Sequence, residues 1–458
     1  MRYLLFIAVA SVALLSSCSD RYEDERGFVR VEDGEFVLDG DTLSFVGTNF
    51  WYGPIIASEG VGGNRERLHK ELDALKSIGV TNLRILVGSD GPEGVAYKVE
   101  PVLQKEPGVY NDTLLRGLDY LLAEMARRQM HAVLYFNNSW EWSGGYGQYL
   151  EWAGNGKALL PSVDGYDNYV EHVSRFVKDE KAKEYYYNHV RNIVTRTNTV
   201  TGRPYAEDPV IFSWQIGNEP RAFARDSVTK AAFADWMCSS ATLIKSLDSN
   251  HMVSTGSEGL YGCEVDMELF EKIHAHKDFD YLNVHIWPLV WRWVTKDTFA
   301  DSVCVANRMT EKYLTAHFPV AERLHKPVVL EEFGYPRDGN RDFEGQAEKF
   351  WDGVSLSKDS STAARDEYYT YVFGRLIKAR KADEPLKGVN FWGWGGHASQ
   401  SEVNEFWKPG DDYCGDPAQE PQGLFSVYAT DSTTLDLIRR TNEYLTGEAP
   451  ACRIGVSQ

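Results

Sequence analysis

The chain has little cysteine, no block of basic residues and no apolar run long enough to span a bilayer. Each shortage removes a class of protein. Six cysteines in 458 residues are too few for a disulfide-built scaffold. No CxxC or HxxxH spacing marks a metal site, so neither a metal nor a cofactor is expected. The formal net charge is −19, and no cluster of Lys and Arg offsets it. Binding a phosphate backbone needs such a cluster, so no nucleic-acid partner is expected. No glycine-rich phosphate loop follows the first predicted strand, which argues against a nucleotide site. Internal repeats and low-complexity linkers are also missing.

What is present is apolar and aromatic. Hydrophobic residues make up 43% of the chain and aromatics 13%, with 13 Trp and 25 Tyr. That is enough for a large core, with flat side chains left over for ligands that have apolar faces, as sugar rings do.

The first 17 residues read as a signal peptide. Arg2 supplies the positive start, and "LLFIAVASVALL" (4–15) is an apolar stretch too short to cross a membrane as a helix. It ends in "LLSSC", which resembles a bacterial lipobox with cleavage before Cys18 and lipid on its thiol. An ordinary secretory signal cut near Ser17 is the alternative; the cysteine at the motif's own position favours the lipoprotein. Residues 18–26 then read as an acidic tether. The expected location is the cell envelope, lipid-anchored to the outer membrane or cell surface. Five cysteines remain: Cys238 and Cys304 in helical patterns, expected to be small buried hydrophobes, Cys263 and Cys414 in predicted loops where they could pair, and Cys452.

From residue 43 onward, strand-like and helix-like patterns alternate eight times. Residues 65–79 carry Leu68, Leu72, Leu75 and Ile78 on one helical face; residues 111–129 repeat the pattern with Leu114, Leu118, Leu121 and Met125. Several strands are continuously apolar, as strands covered on both faces should be. An open doubly wound sheet also alternates, but the count of eight favours a closed α/β barrel, the (β/α)8 or TIM fold, as one catalytic domain over residues 27–458. Two loops are long: residues 88–110 after strand two, and 397–423 after strand eight, which carries Phe406, Trp407 and Tyr413.

In such a barrel the C-terminal strand ends converge on one mouth. They offer Asn49 and Trp51 from strand one, Arg84 from strand two, Asn137, Asn138 and Trp140 from strand three, and Asn218, Glu219 and Arg221 from strand four. Strand five offers Glu258, strand six His285 and Trp287, strand seven Glu331 and Glu332, and strand eight Trp392 and Trp394. Strands four and seven face each other across the mouth, so two carboxylates there can flank a glycosidic bond. Alternation along strand seven predicts that only one of Glu331 and Glu332 joins the mouth. Taken singly, Arg84 is equally an ion-pair partner and His285 a core histidine; the joint pattern carries the reading.

"IGNEPR", "HIWP", "LEEFG" and "NFWGWGG", in this order, resemble glycoside hydrolase family 5 of clan A. Residues 27–53, "NNSWEWSGGYGQYLEWAG" and "GLFSVYATD" are similar to its β-mannanase subfamily, so the likeness spans about residues 27–436. It implies a retaining endo-β-1,4-mannanase acting on mannan, glucomannan or galactomannan, with Glu219 as acid/base and Glu332 as nucleophile. It further implies Arg84 on the nucleophile, Asn218 on the sugar 2-hydroxyl, His285 beside the acid/base and Trp392 as the platform under the sugar. Trp51, Asn138, Trp140, Arg221 and Glu258 fall where mannanases contact sugars. Trp287 stands where many members carry tyrosine, and its indole N–H is the expected substitute donor. Alternatives are an exo-acting β-mannosidase or mannobiohydrolase, suggested by the two long loops, a β-1,4-glucanase, and a non-catalytic glycan-binding lipoprotein.

Overall fold

A computed structural model describes residues 26–337 and 360–448. The signal segment, Cys18, the tether up to residue 25 and Cys452 lie outside them. Eight parallel strands form one sheet: β1 Phe45–Asn49, β2 Asn82–Leu86, β3 His131–Tyr135, β4 Ile211–Gln215, β5 Met252–Ser254, β6 Leu282–Ile286, β7 Val328–Phe333 and β8 Leu386–Phe391. They pair in the order β5-β4-β3-β2-β1-β8-β7-β6. The β5–β6 seam is closed by Asp280 N–H to Val253 O (2.8 Å) and His285 N–H to Glu258 O (3.3 Å). The result is the expected (β/α)8 barrel.

The helices that alternate with the strands are α1 Arg65–Ser77, α2 Asp112–Arg127, α3 Glu180–Val194, α4 Ser227–Leu247, α5 Met267–His274, α6 Val303–Thr315, α7 Ala363–Ala382 and α8 Ser432–Leu445, with shorter helices in the loops. Side chains start several of them: Asn64 accepts from Arg67 N, Asn111 from Thr113 N, and Asp226 from Thr229 N. Leu68, Leu72 and Leu75 of α1 and Leu118 and Leu121 of α2 are fully buried against the barrel, as their spacing predicts. Among the described residues, no helix is long and apolar enough to cross a membrane.

One element goes beyond the alternation. Arg30–Glu32, Glu35–Leu38 and Asp41–Leu43 form a three-stranded antiparallel sheet. It plugs the barrel floor, with Phe36 packed against Phe45, Phe212 and Tyr281. Its two turns are Asp33-Gly34 and Asp39-Gly40, all four residues at positive φ, the pair of residues that a two-residue hairpin favours. Arg26 is already docked, with its guanidinium on Met130 O (3.1 Å), so the last tether residue belongs to the barrel.

The cysteine expectations need correction. Cys263 and Cys414 are both free and buried, so the suggested pairing does not form. Burial pushes the Cys414 thiol up to about 12. Cys304 is exposed, and Cys238 is half-buried at the edge of the core it packs against.

Candidate active site

Strand β7 breaks the simple alternation. Val284 of β6 pairs with Leu330, yet the next residue, His285, pairs with Glu332. On the other side Leu330 pairs with Val389 and Phe333 with Phe391. One extra residue is thus inserted in β7, a β-bulge. Both glutamates consequently turn inward, so it is depth in the barrel, and not opposite faces of the strand, that leaves only one of them at the mouth. Glu331 lies in the closed interior, accepting from Gln215 Nε2 (2.5 Å) and Asn283 Nδ2 (2.5 Å). Glu332 lies at the mouth.

Arg84, on β2, is fully buried and ties the mouth together. Its Nη1 donates to Glu332 Oε1 (2.5 Å) and Asn49 Oδ1 (3.1 Å), its Nη2 to Asn218 Oδ1 (3.0 Å), and its Nε to Gln215 Oε1 (2.8 Å). A buried guanidinium needs this many acceptors to be tolerated. Trp287 Nε1 donates to Glu332 Oε2 at 3.3 Å, so the indole is a donor at the position where tyrosine was the expectation's reference.

Glu219 follows β4 in the left-handed region (φ 49°), a conformation that costs free energy for a residue with a Cβ. Two bonds hold it: its N–H to Gly256 O (2.9 Å) and Ser139 Oγ to its carbonyl (2.5 Å). The turned backbone aims the carboxyl at Glu332. Trp140 Nε1 donates to Glu219 Oε2 (2.6 Å). His285 Nδ1 bridges the two acids, 3.0 Å from Glu219 Oε1 and 3.3 Å from Glu332 Oε2. One oxygen of each acid and one His285 nitrogen all lie within 4.8 Å of one another. Three such atoms could in principle hold a cation, but Arg84 already puts a full positive charge on Glu332, and a divalent ion would be repelled by it.

Burial raises both carboxyls above the ordinary range. At Glu332 the rise is large, opposed by Arg84 and reinforced by the charge on Glu219. At Glu219 it is opposed by Arg221, by the Trp140 N–H and by Arg84. Two carboxylates this close and this dry cannot both ionise, so they share one proton. The direct contact with Arg84 favours charge on Glu332 and the proton on Glu219. Burial lowers His285 well below the usual imidazole range, with Arg84 adding to the effect. His285 is therefore neutral, with Nδ1 as the donor toward the acids.

The remaining expected residues divide. Trp392 closes one side of the mouth, edge-on to Trp287 (5.9 Å). Its Nε1 has no hydrogen-bond partner, and neither does the buried Tyr135 hydroxyl. Buried polar atoms without protein partners point to a place where a ligand supplies them. Arg221 and Glu258 face each other as a two-bond ion pair, with the guanidinium 5.5 Å from the Trp140 ring. Trp51 does not reach the mouth as expected. It is 1% exposed, donates to Gly415 O (2.9 Å) and is packed by Trp142 and Tyr413. Asn138 is also consumed internally, donating to Ser143 Oγ (3.1 Å) and accepting from Asn218 Nδ2 (3.3 Å). Trp394 points outward to Glu71 of α1 (2.9 Å).

Sequence reading missed Gln215, Tyr135 and Glu420. Gln215 had a signal, a polar residue inside a buried strand. Glu420 had none, because it sits in the long loop after β8.

A closed parallel barrel with two buried acids bridged across its C-terminal mouth is the frame of an enzyme that moves protons between them and a substrate. The comparisons sharpen this. The family model for GH family 5 beta-mannosidase-like proteins matches residues 26–448, so the chain belongs to glycoside hydrolase family 5 and is a glycoside hydrolase. Mannan endo-1,4-beta-mannosidase 5 of Solanum lycopersicum is 31% identical over 345 residues, covering 72% of this chain and 76% of that one. Mannan endo-1,4-beta-mannosidase 4 of Oryza sativa subsp. japonica is 30% identical over 382 residues, covering 80% and 73%. Among solved structures, the family 5 mannosidase from Rhizomucor miehei matches with a TM-score of 0.80 at 32% identity, covering 92% of this chain and 98% of that one.

Proposed function

We propose that the chain is a retaining β-mannoside hydrolase in which Glu332 is the nucleophile and Glu219 the acid/base. The observation that carries the mechanism is the spacing of the two acids, with an oxygen of each inside a 4.8 Å group. Retaining enzymes hold their carboxyls about 5–5.5 Å apart, whereas inverting ones need about 6.5–9.5 Å to fit a water. Glu332 Oε1 is held by Arg84, so Oε2, with only 3.3 Å contacts, attacks the anomeric carbon. Glu219 gives its proton to the leaving oxygen. It then takes one from the water that releases the sugar from Glu332. Asn218, fixed by Arg84 and Asn138, is placed for the 2-hydroxyl.

The mannoside assignment is supported by the relatives' names and by the Rhizomucor miehei mannosidase solved with mannosyl-fructose. Within it, we favour cleavage near the non-reducing end. The leaving side is the Glu219 side of the mouth, around β4. The opposite side is walled by two interlocked loops: the Tyr413 hydroxyl bonds both Glu100 O (2.7 Å) and Glu100 N–H (2.8 Å). Trp407 stacks on Tyr413 at 4.4 Å, and Arg67 holds Tyr413 O (2.7 Å). Glu420 of the same loop lies close enough to Glu332 and Glu219 for their charges to raise it further, beyond the effects of burial and Asp416. Its Oε2 has no partner. A glycone side closed in this way suits a short chain end. The endo reading has one specific support, the endo-acting names of the curated relatives.

Two measurements test the proposal. NMR of the first-formed product should show the β anomer; an α product rules out retention. On a soluble mannan, reducing sugar should appear with little early loss of viscosity. A steep early viscosity drop would return the reading to endo cleavage. A lipid on Cys18 and envelope location remain part of the proposal, and metabolic labelling with a radiolabelled fatty acid tests them.

A further inference from the structure

On the leaving side of the mouth, Tyr166 is anomalous. It opens the short helix Tyr166–Val173 and is 46% exposed, while Tyr169, one turn on, is fully buried with its hydroxyl on Ser139 O (2.5 Å). An exposed aromatic alone means little. Its surroundings give it meaning. The Tyr166 ring stacks on Trp140 (6.5 Å, 29°), the indole whose N–H holds Glu219. Its hydroxyl is raised by burial, and it lies in the field of the Arg221 guanidinium and, oppositely, of Glu258 and Glu264. A flat half-exposed ring and the partly exposed guanidinium of an ion pair therefore meet just outside the carboxyl that protonates the leaving group.

We infer that Tyr166 is a specificity-determining residue that receives the leaving sugar, its ring under the pyranose face and the Arg221–Glu258 pair on the hydroxyls. The ligand class is a neutral pyranoside carrying hydroxyls on the leaving side, as in a β-linked disaccharide. This inference rests on the retaining mannoside reading and deepens it. It assigns the recognition of the departing sugar to a helix after β3 that the strand-end inventory does not include. Trp140 is the link between the two roles, since one edge holds the acid and one face carries the platform. Stacking is sequence-tolerant chemistry that any pyranose offers, so Tyr166 sets how strongly a leaving sugar is held and leaves the choice of sugar at the cleavage point to Asn218 and its neighbours.

The test compares two substrates that differ only on that side. Mannobiose has a leaving sugar; β-mannosyl fluoride has none, and its leaving group needs no acid. For Tyr166→Ala, kcat/KM on mannobiose should fall about three- to tenfold more than on the fluoride, mostly through KM, the size expected for losing one stacking contact. Tyr166→Phe keeps the ring and should retain most of the mannobiose activity. Equal losses on both substrates would make Tyr166 a structural residue and overturn the inference. So would an undiminished mannobiose rate in the alanine variant, or a phenylalanine variant as poor as alanine. Wild-type turnover of the fluoride in the same assay reports separately on the mannoside reading itself.

Discussion

Glu331 and Glu332 are neighbours on β7, equally buried, and turned inward by the same bulge, yet their surroundings differ. Glu331 accepts from neutral donors, Gln215, Asn283 and Tyr281, and meets the Arg84 charge only at 3.9 Å, with no hydrogen bond to it. Glu332 meets a full charge at one oxygen and only long bonds at the other. The difference teaches that burial does not make a nucleophile. A fully bonded carboxylate is structure, and one with an oxygen left loosely held at a mouth can react. The bulge lets one short strand do both, stacking a structural acid beneath a reactive one.

The comparison breaks most visibly by truncating each acid. Glu332→Ala should lose about three or more decades of kcat, and added azide should restore turnover as an α-mannosyl azide, because a small anion can occupy the vacated site beside Arg84. Glu331→Ala should show the reverse emphasis. Gln215 and Asn283 would be left without their acceptor, costing about 3 kcal/mol in a urea titration, and azide should rescue nothing. If Glu331→Ala is the azide-rescued variant, the roles are exchanged. A finer cut is Trp287→Phe, which removes one 3.3 Å donor from Glu332 Oε2 and keeps the ring. About a tenfold fall in kcat is expected. Losing a donor disfavours the carboxylate, so the acidic limb of kcat/KM should move to higher pH; an unmoved limb would mean the indole serves packing only.

Much of this was legible in advance, for physical reasons. Alternating apolar runs give the barrel, since a covered parallel strand has to be apolar on both faces. The mouth follows from topology, because strand ends converge there whatever the loops do, and so Arg84, Glu219, His285 and Glu332 could be named together. The bulge was not legible. Period-two alternation assigns Glu331 to the outer face, and a one-residue insertion leaves no mark in composition. The fate of Trp51 was hidden for a different reason. Its indole is claimed by Gly415, 364 residues away, and a strand-end position says nothing of which loop folds over it. The hairpin plug was passed over although it carries two Asp-Gly pairs, which are local turn signals.

A third buried carboxyl extends the comparison away from the mouth with the smallest effect. Asp90, in the loop after β2, is 2% exposed. It accepts from Gln104 Nε2 (3.1 Å), lies in the field of the buried Lys98, and keeps one oxygen unpartnered. Burial raises it to about 7, against the opposing effects of Gln104 and Lys98. Burial raises Glu331 as well, but there Arg84, Gln215 and Tyr281 oppose it; Asp90 lacks a guanidinium beside it. The sign follows from linkage. A folded pKa above the unfolded value means that the folded state binds more protons between roughly pH 4 and pH 7, so this residue's contribution falls as pH rises through that window and is level beyond it. Asp90→Asn removes the titration. The melting temperature of the variant should therefore decline less than that of the wild type between pH 5 and pH 8, by a few degrees at most. Parallel declines would show that Asp90 is already ionised in the fold, and that Lys98 outweighs burial at this site.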